Sequence, residues 1–408
     1  MNDNHNLTFP KTLLIVCGNY QGGGQIFLRD ALQHLPRECL IRYSFIQDNQ
    51  ISLGGDWNGF QNIIRVHPPE TPLDAFKFKG RRLLYKPLFV ALYLMNRLVV
   101  CAREAALIQE VVAEANIQRV LVVLNSPFMI NLAAELIKRG NRVYAIVWDP
   151  PERFIEGLLL PKFPARLLLH DFETVIRKCS VLGTASEGMR VEYSNIYNKN
   201  SIVLIHSLPV ELFAKTKNKL FVLKRFTIGF AGNLYATTEW EAFIRALNSV
   251  DWIIAGHKVS IEFLGNDLQI HQSNPNTQIT FWGWRGLKET VELLCKTDVG
   301  YLPYWIDSKY GYTTRMTFPN KISVYLAAGI PILYHGPVHG TPVQFLSNYP
   351  VGVGCYSTDL DEIIKNLEIF VTDKKYFSIS AKYINKARLE EYNLDRFRLN
   401  FKNLLSQD

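Results

Sequence analysis

The stretch Phe318-Pro319-Asn320-Lys321-Ile322-Ser323-Val324-Tyr325-Leu326-Ala327-Ala328-Gly329-Ile330-Pro331 carries both ends of one helix and the entry to the strand that follows it. Proline suits a first helical position, where its missing N–H would be unpaired in any case, so Pro319 predicts the helix start. Gly329 predicts its end, and Pro331 blocks continuation. Arg315 and Lys321 bracket the predicted start, where the helix dipole is positive and an exposed cation costs roughly 0.3–1 kcal/mol. An anion placed there reverses the sign. Free N–H groups, dipole and two cations together describe a phosphate site that needs no Walker-type motif. The alternative is that both side chains point into solvent.

On either side of this stretch, short β-rich runs alternate with amphipathic segments, the pattern of βα units around a parallel sheet. In the first half, strands are predicted at 12–17, 40–46, 119–124, 142–148, 181–184 and 202–205, with helices at 25–35, 128–139 and 187–197. These strands are apolar on both faces, as parallel strands covered by helices must be. A polar, lysine-rich stretch at 215–224 breaks the pattern before it restarts. Strands then follow at 226–230, 259–264, 279–282, 298–302 and 330–333, and helices at 238–247 and 287–295. The expected fold is α/β, with two doubly wound Rossmann-like domains facing each other across a cleft. The domains are placed at 1–214 and 215–385, and 386–408 is expected as a C-terminal helix crossing back to the first. Ligands of such sheets bind outside the carboxyl ends of the strands.

Composition agrees with this size and class. A chain of 408 residues with 48% hydrophobic residues exceeds what one core usually supports. Cys17, Cys39, Cys101, Cys179, Cys295 and Cys355 are scattered, with neither a disulfide framework nor metal-ligand spacing, which fits a reducing cytoplasm. The polar start, 1–10, has no export pattern. A formal charge of +8 favours an anionic partner: a phosphate-bearing ligand, nucleic acid or an acidic lipid surface. Lys77, Lys79, Arg81, Arg82 and Lys86 precede an apolar run at 88–95 that Pro87 and Arg97 interrupt, so a spanning helix is not expected. Two readings stand for this segment: docking on a membrane surface, or a buried helix with solvated basic flanks.

The run 318–331 also resembles the donor-site segment of GT-B-fold glycosyltransferases, particularly glycosyltransferase family 4 (group 1). There a proline, a small polar residue and a basic residue lead a helix ending in Ala-Ala-Gly. Asp298-Val299-Gly300-Tyr301-Leu302-Pro303 is similar to the preceding strand and loop, and 279–284 to the strand whose loop meets the nucleotide base. Gly229-Phe230-Ala231-Gly232-Asn233 resembles the opening of the family's second domain, and Ala185-Ser186-Glu187-Gly188-Met189 a segment late in the first. The resemblance implies a nucleoside diphosphate sugar as donor and a donor site of Gly232, Asn233, Trp284, Arg315, Pro319, Asn320, Lys321 and Ser323. Two departures stand out. The family's acidic residue for the ribose hydroxyls corresponds to Val324, which leaves Ser323 or the backbone to hold the ribose. The Arg and Lys that often follow the loop glycine are absent after Gly232, which shifts the diphosphate cations to Arg315 and Lys321.

Strand 12–17 leads into Gly18-Asn19-Tyr20-Gln21-Gly22-Gly23-Gly24-Gln25, a turn in which glycines permit close backbone approach. It lacks the Gly-x-Gly-x-x-Gly spacing, so a dinucleotide fingerprint is not supported. A bare turn accounts for it; the resemblance instead gives Gly23, Gly24 and Gln25 a place facing the donor. Trp148-Asp149-Pro150-Pro151-Glu152 sets a carboxylate at the carboxyl end of a strand, so Asp149 is either an acid–base group for an acceptor hydroxyl or a turn aspartate. Glu152 and Glu187 are weaker candidates for the same role. Asp359-Leu360-Asp361 has the string of a metal-binding Asp-x-Asp but sits at a helix start, His335 and His339 fall in a Gly/Pro loop, and no metal is expected. Trp282 and Trp284 flank Gly283, to meet a base or to pack.

Together with the resemblance, which implies a retaining course, these residues point to a metal-independent glycosyltransferase acting on a lipid-linked or surface-polysaccharide hydroxyl, with Asp149, Arg315 and Lys321 in the chemistry and no cofactor. It would be cytoplasmic, with peripheral contact at the inner membrane face and no nucleic-acid partner. A nucleotide-sugar epimerase and a non-catalytic sugar-nucleotide or glycan-binding module are the alternatives.

Overall fold

A computed structural model describes residues 9–17, 28–29, 32, 35–46, 59–71, 82–216, 224–266, 278–373 and 375–407. The glycine loop with Gly23, Gly24 and Gln25, and the basic Lys77, Lys79 and Arg81, lie outside the described residues. The chain divides into two compact units: Met1–Leu204 with Arg398–Asp408, and Ile205–Phe397. The division falls after Leu204 where the lysine-rich stretch pointed to 215, and the return to the first unit begins at Arg398 where 386 was expected. Polarity marked the wrong place because 205–214 is tied into the second unit: Ala214 N donates to Ala327 O (2.8 Å), and Leu394 N to Leu208 O (3.0 Å).

In the first unit, strands β1 (Thr12–Cys17), β2 (Leu40–Ile46), β3 (Gln61–Val66), β4 (Arg119–Val123), β5 (Val143–Val147), β6 (Val181–Thr184) and β7 (Ile202–Val203) form one parallel sheet, in the order β3-β2-β1-β4-β5-β6-β7. Apart from Arg119, β1, β4 and β5 consist of apolar and β-branched residues that are buried almost throughout, the pattern of strands covered on both faces. β3 escaped the sequence reading because Gln61-Asn62-Ile63-Ile64-Arg65-Val66 is a half-exposed edge strand with no clean alternation. Helices α1 (Arg82–Met95), α2 (Cys101–Glu114), α3 (Pro127–Lys138), α4 (Pro151–Gly157), α5 (Lys162–Lys178) and α6 (Glu187–Tyr197) belong to this unit.

Pro87 and Arg97 do not interrupt the apolar segment as expected. The chain stays helical from α1 to α2 through a five-residue π turn, Asn96–Val100, the kind of local widening that lets a long helix bend without breaking. Arg97 clasps Asp171 of α5 with two bonds of 2.6 and 2.8 Å, so it anchors this segment instead of ending it. Met95, Leu98 and Val99 are exposed. No described helix is long and apolar enough to cross a membrane.

The second unit repeats the plan. Strands β8 (Arg225–Ala231), β9 (Ile253–Ile254), β10 (His257–Leu264), β11 (Ile279–Phe281), β12 (Val299–Pro303), β13 (Ile332–His335) and β14 (Gly352–Cys355) run β11-β10-β8-β12-β13-β14, with β9 antiparallel on β10. With the antiparallel β9 left out of the count, the parallel strands of the second sheet and the first six positions of the first both follow the Rossmann order 3-2-1-4-5-6, whose direction reverses between β1 and β4 and between β8 and β12. The helices are α7 (Thr237–Ser249), α8 (Leu287–Leu294), α9 (Gly311–Met316), α10 (Lys321–Ala328), α11 (Thr341–Asn348), α12 (Leu360–Thr372), α13 (Tyr376–Glu390) and α14 (Leu394–Ser406), which runs on into the first unit's segment.

Its core is aromatic. Phe226, Phe230, Trp240, Phe243, Phe263 and Tyr301 are buried, and the Phe243 and Tyr301 rings stack at 4.1 Å. Each such side chain contributes about 1.5–3 kcal/mol through burial. β12 meets β8 with Gly300 opposite Gly229. A Cβ built on Gly300 would stand 2.5–2.8 Å from ring atoms of Tyr325, so the missing side chain is what lets α10 lie against the middle of this sheet. In the first unit, Leu404 of α14 is buried beside Gly183 of β6, and Tyr144 donates to Gln407 O at 2.7 Å.

Candidate functional site: the β8 loop and the start of α10

β8 ends at Ala231, on one side of the point where strand order reverses. Gly232 then takes φ +87°, which side-chain-bearing residues rarely adopt, and donates its N–H to Leu264 O (2.7 Å). The turn brings Asn233 toward α10. A Cβ on Gly232 would be 3.4 Å from Lys321 Nζ, which in turn donates to Asn233 O at 2.8 Å. Lys321 therefore reaches from the first residue of α10 across to the β8 loop.

The surroundings of that ammonium are unusual. It lies over the Tyr235 ring (4.7 Å) and the Phe230 ring (5.2 Å), with no carboxylate paired to it among the described residues. Burial pulls its pKa down to about 7, although the residue keeps partial exposure. Ring faces and one carbonyl support the cation only in part. A phosphate would supply the missing counter-charge. The start of α10 is equally open: Asn320 precedes it in helical conformation without a side-chain cap, and its first turn has no acidic residue.

A lysine held near 7 in the folded chain, against about 10.4 unfolded, binds fewer protons folded than unfolded between those values. Stability should therefore rise with pH across that window. We expect the melting temperature of ligand-free protein to gain less between pH 7 and 9 in Lys321→Met than in the parent; identical profiles in a thermal melt series would refute the lowered pKa.

Aromatic groups complete this edge. Tyr235 and Trp305, the latter just past β12, lie 4.6 Å apart, and Trp305 Nε1 donates to Tyr235 O (3.0 Å). Glu239, in the first turn of α7 and buried, accepts Ile306 N (2.7 Å), while its other oxygen has no partner among the described residues. Sequence reading missed Tyr235, Trp305 and Glu239. Their signal was position alone: Tyr235 and Trp305 lie within five residues of a predicted strand end, and Glu239 at the start of a predicted helix.

The other expected residues are placed as follows. The helix begins at Lys321, two residues later than expected; Pro319 is buried and its carbonyl accepts Ile322 N (3.1 Å) in a tighter lead-in turn, with Asn320 exposed. Ser323 is not available as imagined: it is buried, and its hydroxyl donates to His206 O. Arg315 is exposed in the last turn of α9, with no hydrogen bond or ion pair among the described residues; its guanidinium and His339 both approach Gly311. It thus sits at a helix carboxyl end, where a cation is favoured, and the dipole penalty that drew attention to it does not apply. Trp284 is 62% exposed beyond β11, while Trp282 donates to Glu262.

In the first unit, Asp149 follows β5 and is bonded to Arg153 one turn on in α4. Burial raises the pKa of Glu152, and Glu187 pairs with Arg190 (2.8 Å). Asp359 caps α12 by accepting Glu362 N (3.0 Å), His335 is buried between Tyr301 Oη and Ser357 O (2.8 Å each), and His339 is exposed. No group of three or more His, Cys, Asp or Glu among the described residues is placed to hold a metal ion.

Two doubly wound sheets of Rossmann order, one per unit, define the GT-B class of fold, that of GT-B glycosyltransferases. Similar solved structures bear this out across the chain. A sucrose-phosphate synthase from Thermosynechococcus elongatus matches with a TM-score of 0.67 at 12% identity, covering 98% of each chain. A trehalose-6-phosphate protein from E. coli bound with UDP-2-fluoro glucose matches at 0.63 and 15%, over 97% of this chain and 99% of that one. An α,α-trehalose-phosphate synthase (UDP-forming) from Burkholderia xenovorans in complex with glucose-6-phosphate gives 0.62 and 14%, over 97% and 99%. No protein-family description matches the chain, and no curated protein matches it. At these identities the likeness is one of fold.

Proposed function

We propose that the protein is a glycosyltransferase, resembling family 4, that moves a sugar from a nucleoside diphosphate sugar to an acceptor hydroxyl. The observation that carries the reading is Lys321: an ammonium without a carboxylate among the described residues, at an uncapped helix start, reaching a glycine-led loop beside the switch point of a nucleotide-binding type of sheet. The bond between the anomeric carbon and the diphosphate oxygen breaks, and the acceptor oxygen bonds that carbon. In the retaining course the acceptor proton passes to the departing phosphate oxygen. Charge develops on the diphosphate, and the α10 start with Lys321 stabilises it without a metal ion. Arg315, exposed and unpaired among the described residues, is the second cation in this reading, and Asp149 is the group assigned to the acceptor hydroxyl.

The acceptor is read as lipid-linked or part of a surface polysaccharide. Support comes from the exposed Met95, Leu98 and Val99 on the helical segment that follows the basic residues, and from the net charge of +8. Both favour peripheral contact with an anionic surface, at the cytoplasmic face of a membrane.

The test is a thermal-shift screen of nucleoside diphosphates and their sugars, followed by a transfer assay with the best donor. A ligand that binds the folded state raises the melting temperature. At least one nucleoside diphosphate should do so, and less in Arg315→Ala. If none shifts the parent protein, the donor site is wrong.

A further inference from the structure

The first unit has a recess at the carboxyl edge of its sheet, remote in sequence from the β8 loop. Glu70, Tyr93, Asn96 and Asn131 line it against an apolar wall that includes Phe89 and Leu158. Glu70 follows β3, Asn131 lies on α3 just after β4, and Leu158 follows α4 after β5. This is the edge at which sheets of this winding bind ligands.

Three observations define what it can hold. The cavity is about 10 Å³, room for one water-sized group. The start of α3, which would otherwise attract an anion, is already served by the chain: Glu70 accepts Phe128 N (2.8 Å), and Ser126 accepts Met129 N (3.3 Å). Among the described residues, no lysine or arginine lines the recess. A phosphate would be too large, would find its N–H groups taken and would meet the Glu70 carboxylate.

A hydroxyl suits the same space. Asn96 is 4% exposed, and its amide nitrogen donates to Pro69 O (2.8 Å), which fixes the amide orientation. Its Oδ1 is left buried with no partner among the described residues. A buried acceptor without a donor is unfavourable, and one O–H satisfies it. Beside it, Tyr93 donates to Asn131 Oδ1 (3.2 Å), and the apolar wall matches the C–H faces of a sugar.

We propose that this recess seats one hydroxyl of a neutral acceptor, an unphosphorylated sugar, with Asn96 Oδ1 accepting the hydrogen bond. The proposal rests on the glycosyltransferase reading only in calling the sugar an acceptor. It excludes acceptors that enter this recess by a phosphate.

Saturation-transfer NMR on the full chain decides it, using methyl glycosides of glucose, galactose and mannose against the corresponding sugar 6-phosphates. At least one methyl glycoside should bind, its 6-phosphate counterpart roughly tenfold or more weakly. Asn96→Leu and the filling variant Leu158→Trp should each abolish the signal and leave the thermal shift by nucleoside diphosphates unchanged. Should one variant fail to fold, the other carries the test. The inference is overturned if no methyl glycoside binds, if a 6-phosphate binds as tightly, or if binding survives both substitutions. Those results with the diphosphate shift intact leave the donor reading standing. Glycoside binding lost in Asn96→Leu, with no diphosphate shift in any protein, confirms the recess as a sugar site and removes the donor reading.

Discussion

Lys321→Ala should weaken nucleotide-sugar binding by roughly ten- to a hundredfold, the range expected when a hydrogen bond to a charged group worth about 1.5–3 kcal/mol is removed. The pH dependence is the more specific expectation. In the free protein the ammonium titrates near 7 because burial disfavours its charge. A bound diphosphate favours the charged form, so the complex holds more protons than its parts above that pH. Affinity must therefore fall as pH rises from 7 to 9, with a limiting slope of roughly tenfold per pH unit. A nucleotide sugar is the right probe, since its diphosphate diester has no ionisation in that range. Folding stability should move the other way over the same window, as worked out for the ligand-free chain. Calorimetric titration between pH 6 and 9 checks this; a flat profile, or an unchanged constant in Lys321→Ala, would remove Lys321 from the donor site.

Gly300→Ala should destabilise the second unit by about 1–3 kcal/mol, the usual cost of overpacking a close-packed interior. The added methyl would enter the space of the Tyr325 ring, 2.5 Å from its nearest atom, and Tyr325 is fully buried with its hydroxyl donating to Tyr301 O (2.7 Å). The ring cannot retreat without moving α10, which carries Lys321. Donor affinity should fall along with the denaturation midpoint. A double-mutant cycle isolates the cause: with Tyr325→Ala in the background, which itself costs roughly 3–5 kcal/mol, the Gly300→Ala change should add less than about 0.5 kcal/mol. An undiminished penalty there would place the strain elsewhere.

Most of the fold was legible because parallel strands buried on both faces leave continuous apolar runs. β1, β2 and β6 fall where their β-branched residues put them, and α6 is bounded by Ser186 as its cap. What escaped were strands without that pattern: edge strand β3, the two-residue β9, and β14, whose Gly352-Val353-Gly354-Cys355 reads as loop. The candidate site was legible in part. Lys321 stood out because a cation opposes a helix dipole, and Gly232 through the resemblance of 229–233 to a known family. The same logic misjudged Arg315, since the short helix α9 that ends beside it has no hydrophobic period to announce it. Ser323 was assigned by chemical type, and its burial against the carbonyl of His206 depends on a contact between residues distant in sequence. Tyr235 and Trp305 carry no motif at all; only strand order brings their loops together.

The first unit takes its last segment, Arg398–Asp408, from beyond the whole of the second. During synthesis, Ile205–Phe397 emerges in full before Leu404 can cover β6 or Gln407 can receive the Tyr144 hydroxyl. The first unit, most of which precedes the second in the chain, is thus completed only once Arg398–Asp408 has been made, and one end of its sheet waits for that segment. A nascent chain stalled before Arg398 should already protect the second unit from protease while the first remains cleavable.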